Sequence, residues 1–148
     1  MNYYIPKHFK PFELWPKFEY FKGCDWSHWD SRILETADML RDMYGPMIAN
    51  DYIWRMEEDN ANQWRGYRPM DCEIGAKNSL HKFYRALDLY PVKYLAAQII
   101  KDIECYPFNK EFRHITCIEV GVPWIHFDTR NWDKKKNGLL IIKGSKAT

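Results

Sequence analysis

Two imidazoles and a carboxylate, His81, Asp88 and His126, come from separate parts of the chain and could serve a single metal ion. Histidine and carboxylate side chains are ordinary ligands of Zn²⁺. Three protein ligands leave a fourth corner open to water, which is the arrangement of catalytic rather than structural zinc. Hydrolysis at such a site requires two more parts. A base must accept a proton from the water, and a positive group must meet the charge that develops on the attacked oxygen. Glu119 and Asp128 flank His126 and are the candidate carboxylates, and Arg68, which follows Gly66-Tyr67, is the candidate guanidinium.

The elements that carry these residues can be read from the pattern around them. His81 and Asp88 stand seven apart, a spacing that does not share one helix face but suits a loop running into a strand. Residues 70–80 read as that loop, with Gly66-Tyr67-Arg68-Pro69 as a turn before it, and Arg85 to Leu89 read as a short strand. Ala86 and Asp88 then share one strand face, opposite Leu87 and Leu89. Ile115 to Val120 and Trp124 to Arg130 form a hairpin around Gly121-Val122-Pro123. Along the second arm Trp124, His126 and Asp128 alternate onto one side, about 7 Å between neighbours. Asp128 is thus placed either to orient an imidazole from behind or to act as the base. Glu119 closes the first arm and can stand across from His126.

Two helices are expected. Asp30-Ser31 caps the first, whose stripe is Ile33, Leu34, Ala37, Leu40, Met43 and Tyr44 before Gly45-Pro46 ends it. Pro91 opens the second, with Val92, Leu95, Ala96, Ile99, Ile100 and Ile103 inward. Leu139 to Ile142 adds an edge strand, and residues 50–64 show no clear period. Residues 1–28, rich in aromatics and proline, read as an irregular arm laid over the body. The expectation is one α+β domain over residues 1–148, a small, mainly antiparallel sheet with helices packed on one face.

Composition narrows the function. A net charge of +2, with basic residues dispersed apart from Lys134-Lys135-Lys136, gives no reason to expect nucleic acid. That lysine run reads as a solvated turn. No stretch is long and apolar enough for a membrane span. The amino-terminal residues lack a charged leader followed by an apolar run, so synthesis in the cytoplasm is expected. Cys24, Cys72, Cys105 and Cys117 are then free, mostly buried thiols. His8, His28 and His114 have no partner at ligand spacing.

Several segments taken together resemble the D-alanyl-D-alanine carboxypeptidase and hedgehog-type zinc peptidases, especially their phage and bacterial branch. They are Gly66-Tyr67-Arg68, then Gly75-Ala76-Lys77-Asn78-Ser79-Leu80-His81, then Ala86 with Asp88, and finally Trp124-Ile125-His126-Phe127-Asp128. The resemblance spans roughly residues 30–130 and implies the hedgehog/DD-peptidase fold. It implies Zn²⁺ on His81, Asp88 and His126, Arg68 against substrate or oxyanion, and a carboxylate near the last histidine as base. Ser79, beside the first ligand, takes a structural or ligand-supporting role and joins Arg68 among the substrate-binding residues.

Two positions depart from that pattern. Tyr84 stands where the family usually has glycine, so either the turn differs or the ring walls the pocket, where it and Trp124 become substrate contacts. Pro123 stands where carboxypeptidase relatives place the acid, which favours Glu119 over Asp128 as base. The function implied is an endolysin-like peptidase cutting a peptide bond in peptidoglycan. It would work as a monomer on peptides that contain D-amino acids, and reach the cell wall only after release. The alternative is a zinc-containing binding or virion structural module of the same fold that does not cleave.

Overall fold

Strand alternation and helical period dictate two layers, and the computed structural model, which describes residues 2–55 and 61–144, shows how they meet. Five strands form one mixed sheet in the order β1-β2-β4-β3-β5: β1 Met47–Ile48, β2 Ala86–Pro91, β3 Cys117–Val120, β4 Ile125–Asp128 and β5 Leu140–Lys143. The β1/β2, β2/β4 and β3/β4 pairings are antiparallel, and β5 joins β3 in parallel. A parallel neighbour requires a crossover, and the short helix α5 (Lys134–Asn137) lies in that connection. The α+β class and the edge strand are as expected.

One sheet face is apolar. Leu87, Leu89, Ile118, Ile125 and Phe127 are fully buried and share a core with the helices α3 (Ser31–Tyr44) and α4 (Ala96–Cys105). The Asp30 carboxylate accepts from the Arg32 amide, capping α3, and Gly45 ends it at φ 90°. The same Asp30 accepts a hydrogen bond from the Thr129 hydroxyl at 2.6 Å, so the cap also fastens the helix to the end of β4.

Four expectations need correcting. The second helix does not begin at Pro91, which is the last residue of β2 and pairs with Met47. Helix α4 starts only at Ala96, leaving Val92 and Leu95 exposed, so its buried stripe is Ala96, Ile99, Ile100 and Ile103. A proline without an N–H is tolerated at the end of a strand. Nor is the amino-terminal segment an irregular arm. It forms α1 (Pro11–Leu14), α2 (Lys17–Lys22) and a 3₁₀ turn, Trp26–His28, and it puts Phe9, Leu14 and Trp15 into the core. Asp38 on α3 holds its start, accepting from the Tyr4 hydroxyl and the Lys7 and His8 amides. Among the thiols only Cys117 is buried, and of the lysine run Lys134 is buried rather than solvated, its amine donating to the Phe112 carbonyl. Residues 56–60, within the stretch without clear period, lie outside the described residues.

Candidate metal centre

The second sheet face carries the chemistry. Strand register sets Asp88 opposite His126 and His126 opposite Glu119, so the three lie in one row across β2, β4 and β3. Directly opposed residues project to the same face, and all three line a cleft of about 790 Å³. Ile142 of β5 extends the row beyond Glu119.

His81 reaches this row from the other side. It sits on a 3₁₀ turn, Leu80–Phe83, capped by the Ser79 hydroxyl, which accepts from the His81 amide at 3.3 Å. The turn is tied to residues 64–68 by the Arg68 amide donating to the His81 carbonyl, and the Asp88 amide in turn donates to the Arg65 carbonyl. Gly66 is what lets this layer close. A Cβ there would lie 2.2 Å from the Leu14 carbonyl oxygen, so only glycine allows the backbone so near α1.

His81, Asp88 and His126 are each buried and offer ligand atoms that all lie within 4.8 Å of one another. His81 Nδ1 is 2.8 Å from the Gly66 carbonyl, a contact it can make only as donor, which leaves Nε2 as the free nitrogen, 3.4 Å from Asp88 Oδ1. His126 is oriented the opposite way. Its Nε2 meets Asp128 Oδ2 at 2.9 Å, and its Nδ1 faces Asp88 Oδ1 at 2.7 Å. Both rings thus have one nitrogen fixed by an outer partner and the other turned to a common point. Outer hydrogen bonds of this kind set tautomer and orientation in metal-binding histidines. Ligand bonds of about 2.1 Å in tetrahedral geometry give ligand–ligand edges of about 3.4 Å, which the His81–Asp88 separation matches, whereas the 2.7 Å His126–Asp88 contact is a direct hydrogen bond that a bound ion would have to open. The donor set fits a metal ion.

The electrostatics are those of a largely buried charge cluster at the cleft wall. Burial alone would raise Asp88, but the neighbouring His81 and His126 rings hold it well below the usual carboxylate range. Burial would also lower His126, yet hydrogen bonds to Asp128 and Asp88 outweigh it and push the ring up to about 10. Asp128 is fully buried and lowered to about 2 against its own desolvation, chiefly by Arg130. Arg130 grips it through its amide, Nε and Nη2 at 3.2, 2.9 and 2.7 Å. With Oδ1 and Oδ2 so engaged, Asp128 orients His126 and does not face the cleft as a base.

Arg68 lies beside the cluster, its Nη2 3.4 Å from Asp88 Oδ2 and its Nε donating to the Trp64 carbonyl at 2.7 Å. Nη1 rests on the 70–80 loop near the Ile74 carbonyl, and a Cβ on Gly75 would come within 2.4 Å of it. Three of the five N–H groups are thus occupied and two remain for a ligand. Burial lowers the guanidinium despite the pull of Asp88. Glu119 is half-buried on the cleft wall, and among the described residues none donates a hydrogen bond to its carboxylate. Trp124 also lines the cleft, packed at 5.9 Å against Tyr90.

Tyr84 does not join the lining. It takes the left-handed conformation that favours glycine, φ 57° and ψ 32°, so the turn keeps the shape a glycine would give it. Its ring stacks on Tyr67 at 4.0 Å and meets Trp15 and Trp29 edge-on. A substrate contact by Tyr84 is therefore corrected to a packing role. His8 pairs with Asp42, His114 with Glu35, and His28 lies against Tyr84.

Sequence reasoning missed Arg130, Trp64 and the Gly66 carbonyl. The first was within reach, because the alternation Trp124, His126, Asp128 continues to Arg130. The other two are backbone carbonyls, accepting from Arg68 four residues along and from His81 fifteen along, and a carbonyl acceptor leaves no mark in the residue types. Comparison with protein-family models, with curated proteins and with solved structures finds no match to this chain.

Proposed function

We propose that this chain is a zinc-dependent peptidase that hydrolyses a peptide bond in peptidoglycan. The observation that carries the reading is the convergence of His81 Nε2, Asp88 Oδ1 and His126 Nδ1 at the floor of a cleft, each imidazole held from behind by a different acceptor. Two imidazoles and one carboxylate are a hydrolytic zinc set with room for water. A zinc ion held there would supply a Lewis acid and would lower the pKa of a water toward ~7.

The chain's own residues supply the rest. Glu119, across the strand pair from His126 and free of hydrogen-bonded partners among the described residues, takes a proton from water and returns it to the leaving amine. Arg68 presents its two unused N–H groups to the developing oxyanion or to a substrate carboxylate. Trp64, Tyr90 and Trp124 give the cleft apolar walls for a short peptide. Peptidoglycan as substrate, and the hedgehog/DD-peptidase fold with it, rest on the segment resemblance described above.

The test is turbidity loss of purified cell walls. Lysis should stop on chelation and return with zinc, and Glu119→Gln should keep zinc while turnover falls roughly 10²- to 10⁴-fold. Lysis indifferent to chelator contradicts the metal mechanism. Stoichiometric zinc without lysis by the wild type favours a binding module instead.

A further inference from the structure

Helix α2 presents an apolar face that neither the fold nor the metal centre uses. Phe18 and Phe21 are three apart, so they share a helix face, and they are 71% and 64% exposed. The inner side of the helix is anchored by Tyr20, which meets Phe12 edge-on at 6.1 Å; Phe21 touches Tyr20 edge-on at 5.1 Å but keeps most of its surface outward, as Phe18 does. Lys17, Lys22 and Gln63 rim the pair, with Lys22 Nζ 5.9 Å from the centre of the Phe18 ring. Exposed apolar patches with polar rims mark interaction surfaces.

Its position bears on what it could hold. Trp64 lines both this patch and the cleft of the metal centre, so the two surfaces are continuous. The Lys17 amide donates to Gln63 Oε1 at 3.0 Å, fixing the start of α2 to the residue beside Trp64. We infer that α2 and Trp64 form a shelf for the glycan strand from which the substrate peptide hangs, an inference that rests on the peptidase reading above. A peptide leaving the cleft past Trp64 brings its attached polymer over Phe18 and Phe21. Pyranose rings offer flat C–H faces to aromatic rings, and their hydroxyl, amide and carboxylate edges suit the amines of Lys17 and Lys22 and the Gln63 amide. Two phenyl rings fall far short of the roughly 800 Å² that each partner buries in a stable protein–protein contact, but they suffice for a sugar or two.

The test uses the whole chain, stripped of metal to prevent turnover, and insoluble wall glycan freed of its peptides. Wild type should sediment with the glycan, and the double variant Phe18→Ala/Phe21→Ala should bind roughly tenfold or more weakly with an unchanged melting temperature. With metal restored, the variant should cut a small soluble stem peptide as wild type does and lyse intact walls more slowly. Equal sedimentation of the two proteins, or none by wild type, overturns the shelf, as does wild-type binding to anionic phospholipid vesicles that only the double substitution abolishes. Because sedimentation needs no catalysis, the shelf can stand where peptide cleavage fails, and cleavage can stand where the shelf falls.

Discussion

The two halves of the candidate metal centre are built by different means. Asp88, Glu119 and His126 occupy one row of a hydrogen-bonded sheet, where register alone brings them together. His81 and Arg68 come from irregular chain, and their positions depend on Gly66 lying against Leu14 and on backbone bonds from Tyr67 to Leu14 and from Arg68 to His81. The anchors of the histidines follow the same division. A backbone carbonyl holds His81, whereas a carboxylate clamped by an arginine holds His126. The sheet half is set by strand pairing, and Asp128 with Arg130 sets the charge behind His126. The loop half is only as firm as its contact with the amino-terminal segment.

The largest effect should therefore come from the loop half. Gly66→Ala sets a methyl group against the Leu14 backbone, which cannot yield as a flexible side chain would. It should cost roughly 1–3 kcal/mol or more of stability and weaken zinc binding, because the carbonyl of the same residue orients His81. Thermal melts with and without zinc would measure both. A variant as stable and as tight as wild type would mean that the loop half is independent of α1.

On the sheet half, Asp128→Asn keeps an acceptor for His126 but removes the charge and the ion pair with Arg130. Zinc affinity, read by competition with a chromophoric chelator, should fall about 10- to 100-fold, with turnover largely restored at saturating zinc. Unchanged affinity with lost turnover would instead make Asp128 the base.

A further effect is a pH dependence carried by the sheet half. His126 is raised from 6.5 to about 10. In the metal-stripped protein its contribution to stability is therefore complete below pH 6.5 and is lost as pH rises through about 10. Zinc must displace the same proton, so its affinity should increase over that range. The melting temperature of stripped protein should fall between pH 7 and pH 9 while the shift produced by zinc grows. Parallel curves for the two forms would contradict this.

The same division explains what was legible in the sequence. Period-two alternation set Trp124, His126 and Asp128 on one side, and the hairpin placed Glu119 across from His126. Those relations are local, and one chain segment suffices to show them. Tertiary packing decided the remainder. Pro91 looked like a helix start because nothing nearby announces the β1 partner that draws it into a strand. The aromatic amino-terminal residues looked irregular because their order comes from Asp38, some 30 residues on. Tyr84 looked like a changed turn or a pocket wall, yet the left-handed backbone persists. A strain of roughly 1–2 kcal/mol is offset by stacking against Tyr67 and two tryptophans.

The central claim is that one metal ion is held jointly by the two halves. Elemental analysis of purified protein after exhaustive dialysis against buffer containing trace zinc tests it most directly, with wild type, His81→Ala and His126→Ala compared. The account predicts one zinc per chain in wild type and near-complete loss in each variant, both remaining folded by circular dichroism. Wild type without zinc, or variants that retain it in full, would contradict it.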